Sequence, residues 1–236
     1  MSGADLAAPP NSGVADREAV LEARRVRASY GSQRVLHDVS VELRPGELLA
    51  VTGRSGSGKT TLLHVMAGLG SLEAGSVWLN GRRIDDLTDR ERTRLRRTAF
   101  GFVFQHGQLV PELSALENVA LPILLNGGSR ALADKRAEAW LERLGVRDRR
   151  GATPAQLSGG EAQRVAIARA LVTAPAVVFA DEPTGSLDSE NAATVLAAFS
   201  DAARAADAAI ILVTHDEATA SLAGRRIELL DGRIRP

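Results

Sequence analysis

From Leu21 onward the chain alternates short apolar runs with turn signals. Val39–Leu43 alternates apolar and polar positions, the period of a half-buried strand, and Pro45-Gly46 turns the chain into the apolar run Leu48–Thr52. A glycine-rich loop and an apolar helix over about Lys59–Gly68 follow. Ser76–Leu79 with Asn80-Gly81 reads as a hairpin strand closed by a type I′ turn, and Phe100–Phe104 as a further strand. Between Leu113 and about Gly160 the strand pattern disappears, and at least two helices are expected. Ser114-x-x-Glu117 has the form of a capping box. Ser129–Leu144 places Leu132, Ala133, Ala137, Trp140, Leu141 and Leu144 on one face before Gly145 stops it. Strands return at Ala176–Ala180, Ala209–Val213 and Arg226–Leu230, with an Ala-rich helix over Ser189–Ala206. The pattern predicts an α/β fold, a parallel sheet with a helical insertion. Residues 1 to about 20, rich in Ala, Pro, Ser, Gly and Asp, read as a disordered leader.

Composition narrows the function classes. Lys plus Arg equals Asp plus Glu at 29 each, so no overall field draws the chain to nucleic acid or anionic lipid, and no direct nucleic-acid partner is expected. With no cysteine there is neither a disulfide framework nor a thiolate metal site. No apolar stretch approaches the roughly 18–20 residues that cross a bilayer. The chain is expected to be soluble, so that any membrane role comes through a partner. The only lysines are Lys59 and Lys135, which makes Lys59 conspicuous in an Arg-rich chain.

Lys59 closes the segment Gly53-Arg54-Ser55-Gly56-Ser57-Gly58-Lys59-Thr60, which follows an apolar strand and opens a helix. This is the phosphate-loop pattern in the context it requires. Glycines let main-chain amides approach a triphosphate, and the helix start adds unpaired N–H groups and partial positive charge. Lys59 supplies a full cation for the β- and γ-phosphates, and Thr60 a hydroxyl for Mg²⁺. Thr61, next on the helix, completes the candidate ATP contacts.

The second candidate is Asp181-Glu182, at the carboxyl end of the apolar strand Val177–Ala180, where open α/β sheets place ligands. An extended segment would turn these neighbouring carboxylates to different sides. Asp181 is the expected Mg²⁺ residue, and Glu182 the expected base for the attacking water. Alone, such a pair is commonly a solvated turn; beside a phosphate loop it becomes a catalytic candidate.

Leu157-Ser158-Gly159-Gly160-Glu161, continued by Ala162-Gln163-Arg164-Val165-Ala166-Ile167-Ala168-Arg169-Ala170-Leu171, resembles the signature of ABC ATPases. The resemblance runs from about Leu21 to the C-terminus. It implies a P-loop NTPase parallel-sheet core with an antiparallel β lobe, and a helical subdomain over about residues 106–166. Read physically, Ser158, Gly159 and Gly160 stand at a helix start, a second anion-binding terminus. Tyr30 falls where the family stacks an aromatic on adenine. Gln105 falls where a Gln links Mg²⁺ and water to the transporter contact. Ser186-Leu187-Asp188 resembles the loop that crosses to the partner subunit, and His215 the switch histidine at the γ-phosphate. His37, His64 and His106 match nothing functional and default to structural positions. Ala162, Ser186 and Arg54 depart from common family residues without removing a needed donor or charge.

One copy of each element implies two such chains, or a closely related partner, joined across two composite ATP sites. The family also implies an integral membrane permease, and a cytoplasmic location peripheral to the inner face of the cell membrane. Phe100–Gln105, Leu109-Val110-Pro111 and Ala115–Pro122 resemble a bacterial branch that serves lipoprotein release, macrolide export and cell division. The main expectation is an ATPase that drives a permease. The rival membrane reading is a regulator of an extracytoplasmic cell-wall enzyme, and a soluble nucleic-acid ABC protein is disfavoured by the charge balance. Arg90–Arg97 reads as a solvated helix face, or more sharply as part of the permease-docking surface.

Overall fold

A computed structural model describes residues 18–31, 33–105, 107–185 and 187–235. Residues 1–17 of the expected leader lie outside these, as do Ser186 and His106. Val20, at the leader's expected end, is instead buried, and its amide donates to the Leu43 carbonyl at 2.8 Å.

The alternating segments build a four-stranded antiparallel sheet, in the order β2-β1-β4-β5, from β1 (Leu21–Tyr30), β2 (Gln33–Leu43), β4 (Ala74–Leu79) and β5 (Arg82–Arg83). Val39, Val41 and Leu43 of β2 are buried, as their period of two requires. Asn80 and Gly81 both take positive φ, 48° and 73°, which is the backbone a type I′ turn needs.

The continuous apolar runs build the second sheet, in the order β10-β9-β3-β8-β7-β6. Its strands are β3 (Leu48–Thr52), β6 (Phe100–Phe104), β7 (Val177–Asp181), β8 (Ala209–Val213), β9 (Arg225–Leu230) and β10 (Arg233–Arg235). All neighbours pair parallel except β10, which folds back on β9. Successive residues of β7 and β8 enter opposite cores. Val177, Phe179, Ala209 and Ile211 join α1 (Lys59–Met66) and the antiparallel sheet. Val178, Ala180, Ile210 and Leu212 join the helices of the insertion and α6 (Ser189–Ala205). Burial on both faces is why these strands carry no polar alternation.

Four further helices of the chain matter here: α2 (Asp89–Ala99), α3 (Ala115–Leu125), α4 (Arg130–Arg143) and α5 (Gly159–Leu171). Capping boxes open α2 at Thr88 and Glu91, α3 at Ser114 and Glu117, and α5 at Ser158 and Glu161, while Ser129 caps α4. The expected face of α4 is narrower than its sequence pattern. Ala133, Ala137, Leu141 and Leu144 are buried, but Leu132 is 42% exposed, because α4 meets α3 and α5 only along the narrower stripe. On β6, a Cβ at Gly101 would run into the Ala170 carbonyl, so the glycine lets α5 lie directly against the strand.

Candidate active site

β3 ends at Thr52, and the glycine loop carries the chain into α1. Gly53, Gly56 and Gly58 have φ of 145°, 78° and 102°, a region that side chains disfavour. At Gly53 a Cβ would also collide with the Leu229 carbonyl of β9, and at Gly58 it would stand 3.0 Å from Val35 and Leu36 of β2. The loop is thus pressed between both sheets. Gly58 offers α1 no side-chain cap, and the first turn contains no acidic residue, so no internal anion answers the helix start. The Lys59 ammonium is buried and folds back over the loop, donating to the carbonyls of Gly53 at 2.9 Å and Arg54 at 3.0 Å. The hydroxyl of Ser57 is buried and has no hydrogen-bond partner among the described residues.

The loop opens on a cleft of about 1040 Å³ lined by Ser55, Gly56, Gly58, Lys59, Thr60 and Thr61 and faced by Asp181, Glu182 and His215. Thr60 Oγ1 donates to Asp181 Oδ2 at 3.2 Å. Burial pushes the Asp181 carboxyl above its ordinary range; the Thr60 bond opposes the shift and the Glu182 charge adds to it. Both carboxylate oxygens of Glu182 are engaged. Oε1 lies 2.6 Å from Nδ1 of His215, and Oε2 accepts from Thr214 Oγ1 at 3.2 Å. The imidazole of His215 is nevertheless 71% exposed and open to the cleft.

The two carboxylates diverge for a reason other than strand alternation. Asp181 ends β7, but Glu182 has left the extended region, with φ of 47°. Its amide still donates to the Val213 carbonyl at 2.9 Å, and its own carbonyl accepts from Gly185 at 3.0 Å. The chain therefore turns at Glu182 itself, and that turn aims the side chain at His215. A left-handed Glu is uncommon, and this one faces the cleft.

Of the other expected site residues, Gln105 and the signature segment lie outside the lining of this cleft. Tyr30 ends β1 and pairs with Gln33, which does line it. Gln105 follows β6 and is not among the lining residues. The end of its side chain rests against Gly185, 2.9 Å from where a Cβ on that glycine would stand. Leu157 precedes α5, Ser158 caps it, and Gly159, Gly160 and Glu161 form its first turn, all outside the cleft. A Cβ at Gly159 would be 3.2 Å from Leu187, so the signature and the 187–188 segment are neighbours. Asp188 caps α6 by accepting from the Asn191 amide at 3.0 Å. The helix start at α5 already has an anion of its own. The Glu161 carboxylate accepts from the Ser158 amide at 2.8 Å and from Arg149 at 2.8 Å, and these bonds hold its pKa down to about 2, the first being the larger cause.

Two histidines assigned by sequence to ordinary structural positions line the cleft instead, His37 on β2 and His64 on α1. His64 stands four residues after Thr60, one helical turn along the same face, and its position lowers the Asp181 pKa. That spacing was available in the sequence. Thr214 could also have been found, since it adjoins His215.

The donor set fits a triphosphate: amides at the start of α1 that no side chain caps, one buried ammonium, and, among the described residues, an orphaned hydroxyl in the loop. Thr60 beside Asp181 supplies the oxygen ligands that a hard divalent cation takes. Residues 36–185 match the family model described as ABC transporter, and the chain belongs to that family. It is the ATP-binding subunit of an ABC transporter and an ATPase. Its sequence is 47% identical to the lipoprotein-releasing system ATP-binding protein LolD of Maricaulis maris, over 92% of this chain and 96% of the relative. Among solved structures it is similar to the dimeric, post-hydrolysis form of the ATP-binding cassette MJ0796 bound to ADP and Pi. That likeness has a TM-score of 0.81 and 35% identity over 92% of this chain and 97% of the other. It is also similar to CbiO1 of Clostridium perfringens, part of the transporter complex cbiONQ, with a TM-score of 0.86 and 25% identity over 93% and 88%. Among the described residues, no helix is long and apolar enough to cross a membrane.

Proposed function

We propose that the chain drives a membrane partner that releases lipid-anchored proteins, working as a pair of ATPase subunits closed over two nucleotides. The likeness to LolD along nearly the whole of both chains supports this reading most strongly. The ATP triphosphate supplies an electrophilic phosphorus, and Mg²⁺ offsets its charge. Lys59 exchanges its bonds to the Gly53 and Arg54 carbonyls for the anion. Thr60, Asp181 and Gln105 hold the cation. Tyr30 borders the base, while Gly53–Thr61 wrap the phosphates. Glu182 takes the proton from the attacking water at a carboxylate oxygen, and His215 and Thr214 orient that carboxylate. The helices between residues 106 and 166 form the lobe that presents Leu157–Glu161 to the partner's nucleotide, with the Gly159 and Gly160 amides as donors, and Ser186, Leu187 and Asp188 cross between subunits. The working location is the inner face of the cell membrane.

An apolar groove of about 250 Å³, walled by Arg96, Arg97, Phe102, Leu121, Pro122 and Arg169, is the proposed seat of the membrane partner. Its cationic rim suits an acidic cytoplasmic segment. The test is reconstitution with the membrane protein that copurifies. ATP-dependent release of an acylated protein from the membrane, stimulated hydrolysis, and loss of that stimulation in Arg96→Glu/Arg97→Glu support the reading. Stimulated turnover that the double variant leaves unchanged rejects the docking role, and turnover without release rejects the substrate class.

A further inference from the structure

Two side chains of α5 grip the main chain on either side of Gln105. Gln163, 2% exposed, donates from Nε2 to the Phe104 carbonyl at 3.1 Å. Arg169 donates from its two terminal nitrogens to the carbonyls of Gly107 and Gln108, each at 2.7 Å. Between these clamps Gly107, with φ of 67°, lies against the helix. A Cβ there would stand 3.5 Å from both Ala166 Cβ and the Gln163 side-chain oxygen. Arg169 makes these bonds at a cost. Its guanidinium is partly buried, burial pushes its pKa down, and no carboxylate among the described residues pairs with it. A desolvated cation without a counter-ion is a poor way to gain stability, whereas a rigid planar fork is well suited to fixing two adjacent carbonyls. The same guanidinium walls the groove assigned above to the membrane partner.

We infer that Arg169 is a positioning residue for Gln105: its fork fixes the carbonyls of Gly107 and Gln108 to the signature helix, as Gln163 fixes that of Phe104, so that Gln105 and Ser158–Glu161 move as one body. The functional part of this inference rests on the reading of Gln105 as a cation-facing residue; the structural part does not.

Arg169→Met and Arg169→Lys in the full chain test it, read by amide hydrogen exchange and by steady-state ATP hydrolysis without a membrane partner. Exchange in the segment after Gln105 should quicken about tenfold in Arg169→Met, the loss expected for hydrogen bonds to a charged group, while β3, β7 and β8 keep wild-type protection. Arg169→Lys should restore part of that protection. In Arg169→Met kcat should fall about tenfold with KM for ATP nearly unchanged, because the segment orients rather than binds. Unchanged exchange after Gln105 in folded Arg169→Met overturns the clamp. Faster exchange with wild-type kcat overturns the positioning role. Gln105→Ala separates the two levels: if that variant hydrolyses ATP at the wild-type rate, the reading of Gln105 fails, and the exchange result still decides the clamp.

Discussion

Nδ1 of His215 lies 2.6 Å from Oε1 of Glu182, joining the ends of two neighbouring parallel strands, β8 and β7, across the mouth of the cleft. The contact depends on the left-handed backbone at Glu182, which turns that side chain away from Asp181. With Thr214 on its other oxygen, the carboxylate is held from both sides.

Glu182→Gln keeps the shape of the side chain but removes its basicity. Turnover should fall about 10²–10⁴-fold, the range for loss of a general base, while ATP is still bound. Size-exclusion chromatography with ATP should show an accumulating dimer. Hydrolysis at the wild-type rate would remove Glu182 from the base role.

His215→Ala leaves Glu182 held by Thr214 alone. We expect kcat to drop about tenfold, as for one lost hydrogen bond to a charged group, and the affinity for ATP to change much less. Paired kcat measurements and equilibrium nucleotide titrations check this. An effect confined to affinity would place His215 in ground-state binding instead.

Lys59→Ala removes the cleft's buried ammonium, and the other lysine, Lys135, is exposed on α4 away from the cleft. Affinity for ATP should weaken by about 100-fold, the equivalent of a strong charge-assisted contact. Calorimetric titration detects it. Binding within a few-fold of wild type would show that the amides suffice.

Asp181→Asn trades function for stability. Burial first, and the Glu182 charge after it, hold the Asp181 pKa above its ordinary 3.8, so its ionisation opposes folding. The favourable contribution is complete while the carboxyl is protonated and is lost as pH rises from that ordinary value through the raised one. Without nucleotide, the Asn variant should therefore melt at a higher temperature than wild type at neutral pH, because it removes a charge that burial disfavours. The difference should shrink as the wild-type carboxyl becomes protonated on acidification. Extra stabilisation by magnesium with ATP should be lost. Thermal melts across pH, with and without magnesium and ATP, decide both points; a variant less stable than wild type at neutral pH would contradict the sign.

Strand placement was legible because each strand writes its burial into the chain. Phe100–Phe104 and Ala209–Val213 agree with β6 and β8 to the residue, and the capping box at Ser114 and the cap at Ser129 mark true helix starts. Where a pattern was read too widely, as at Leu132, the neighbours of α4 covered a narrower stripe than helical periodicity allows. That His37 and His64 line the cleft was not legible, because nothing in the residue type says which strand or helix will form its wall.

The order of residues by itself determined the phosphate loop, the pair Asp181-Glu182 and the signature segment, because each is local: neighbouring amides, one helix start, one strand end. It could not determine that Gly53 backs onto the Leu229 carbonyl, that Gln105 rests on Gly185, or that Arg169 holds the segment after Gln105. Those relations join residues roughly 60 to 180 positions apart, and they exist only once the parallel sheet has brought β3, β6, β7 and β9 together with α5 packed against them. Local chemistry is encoded by neighbours along the chain, whereas its alignment is fixed by packing.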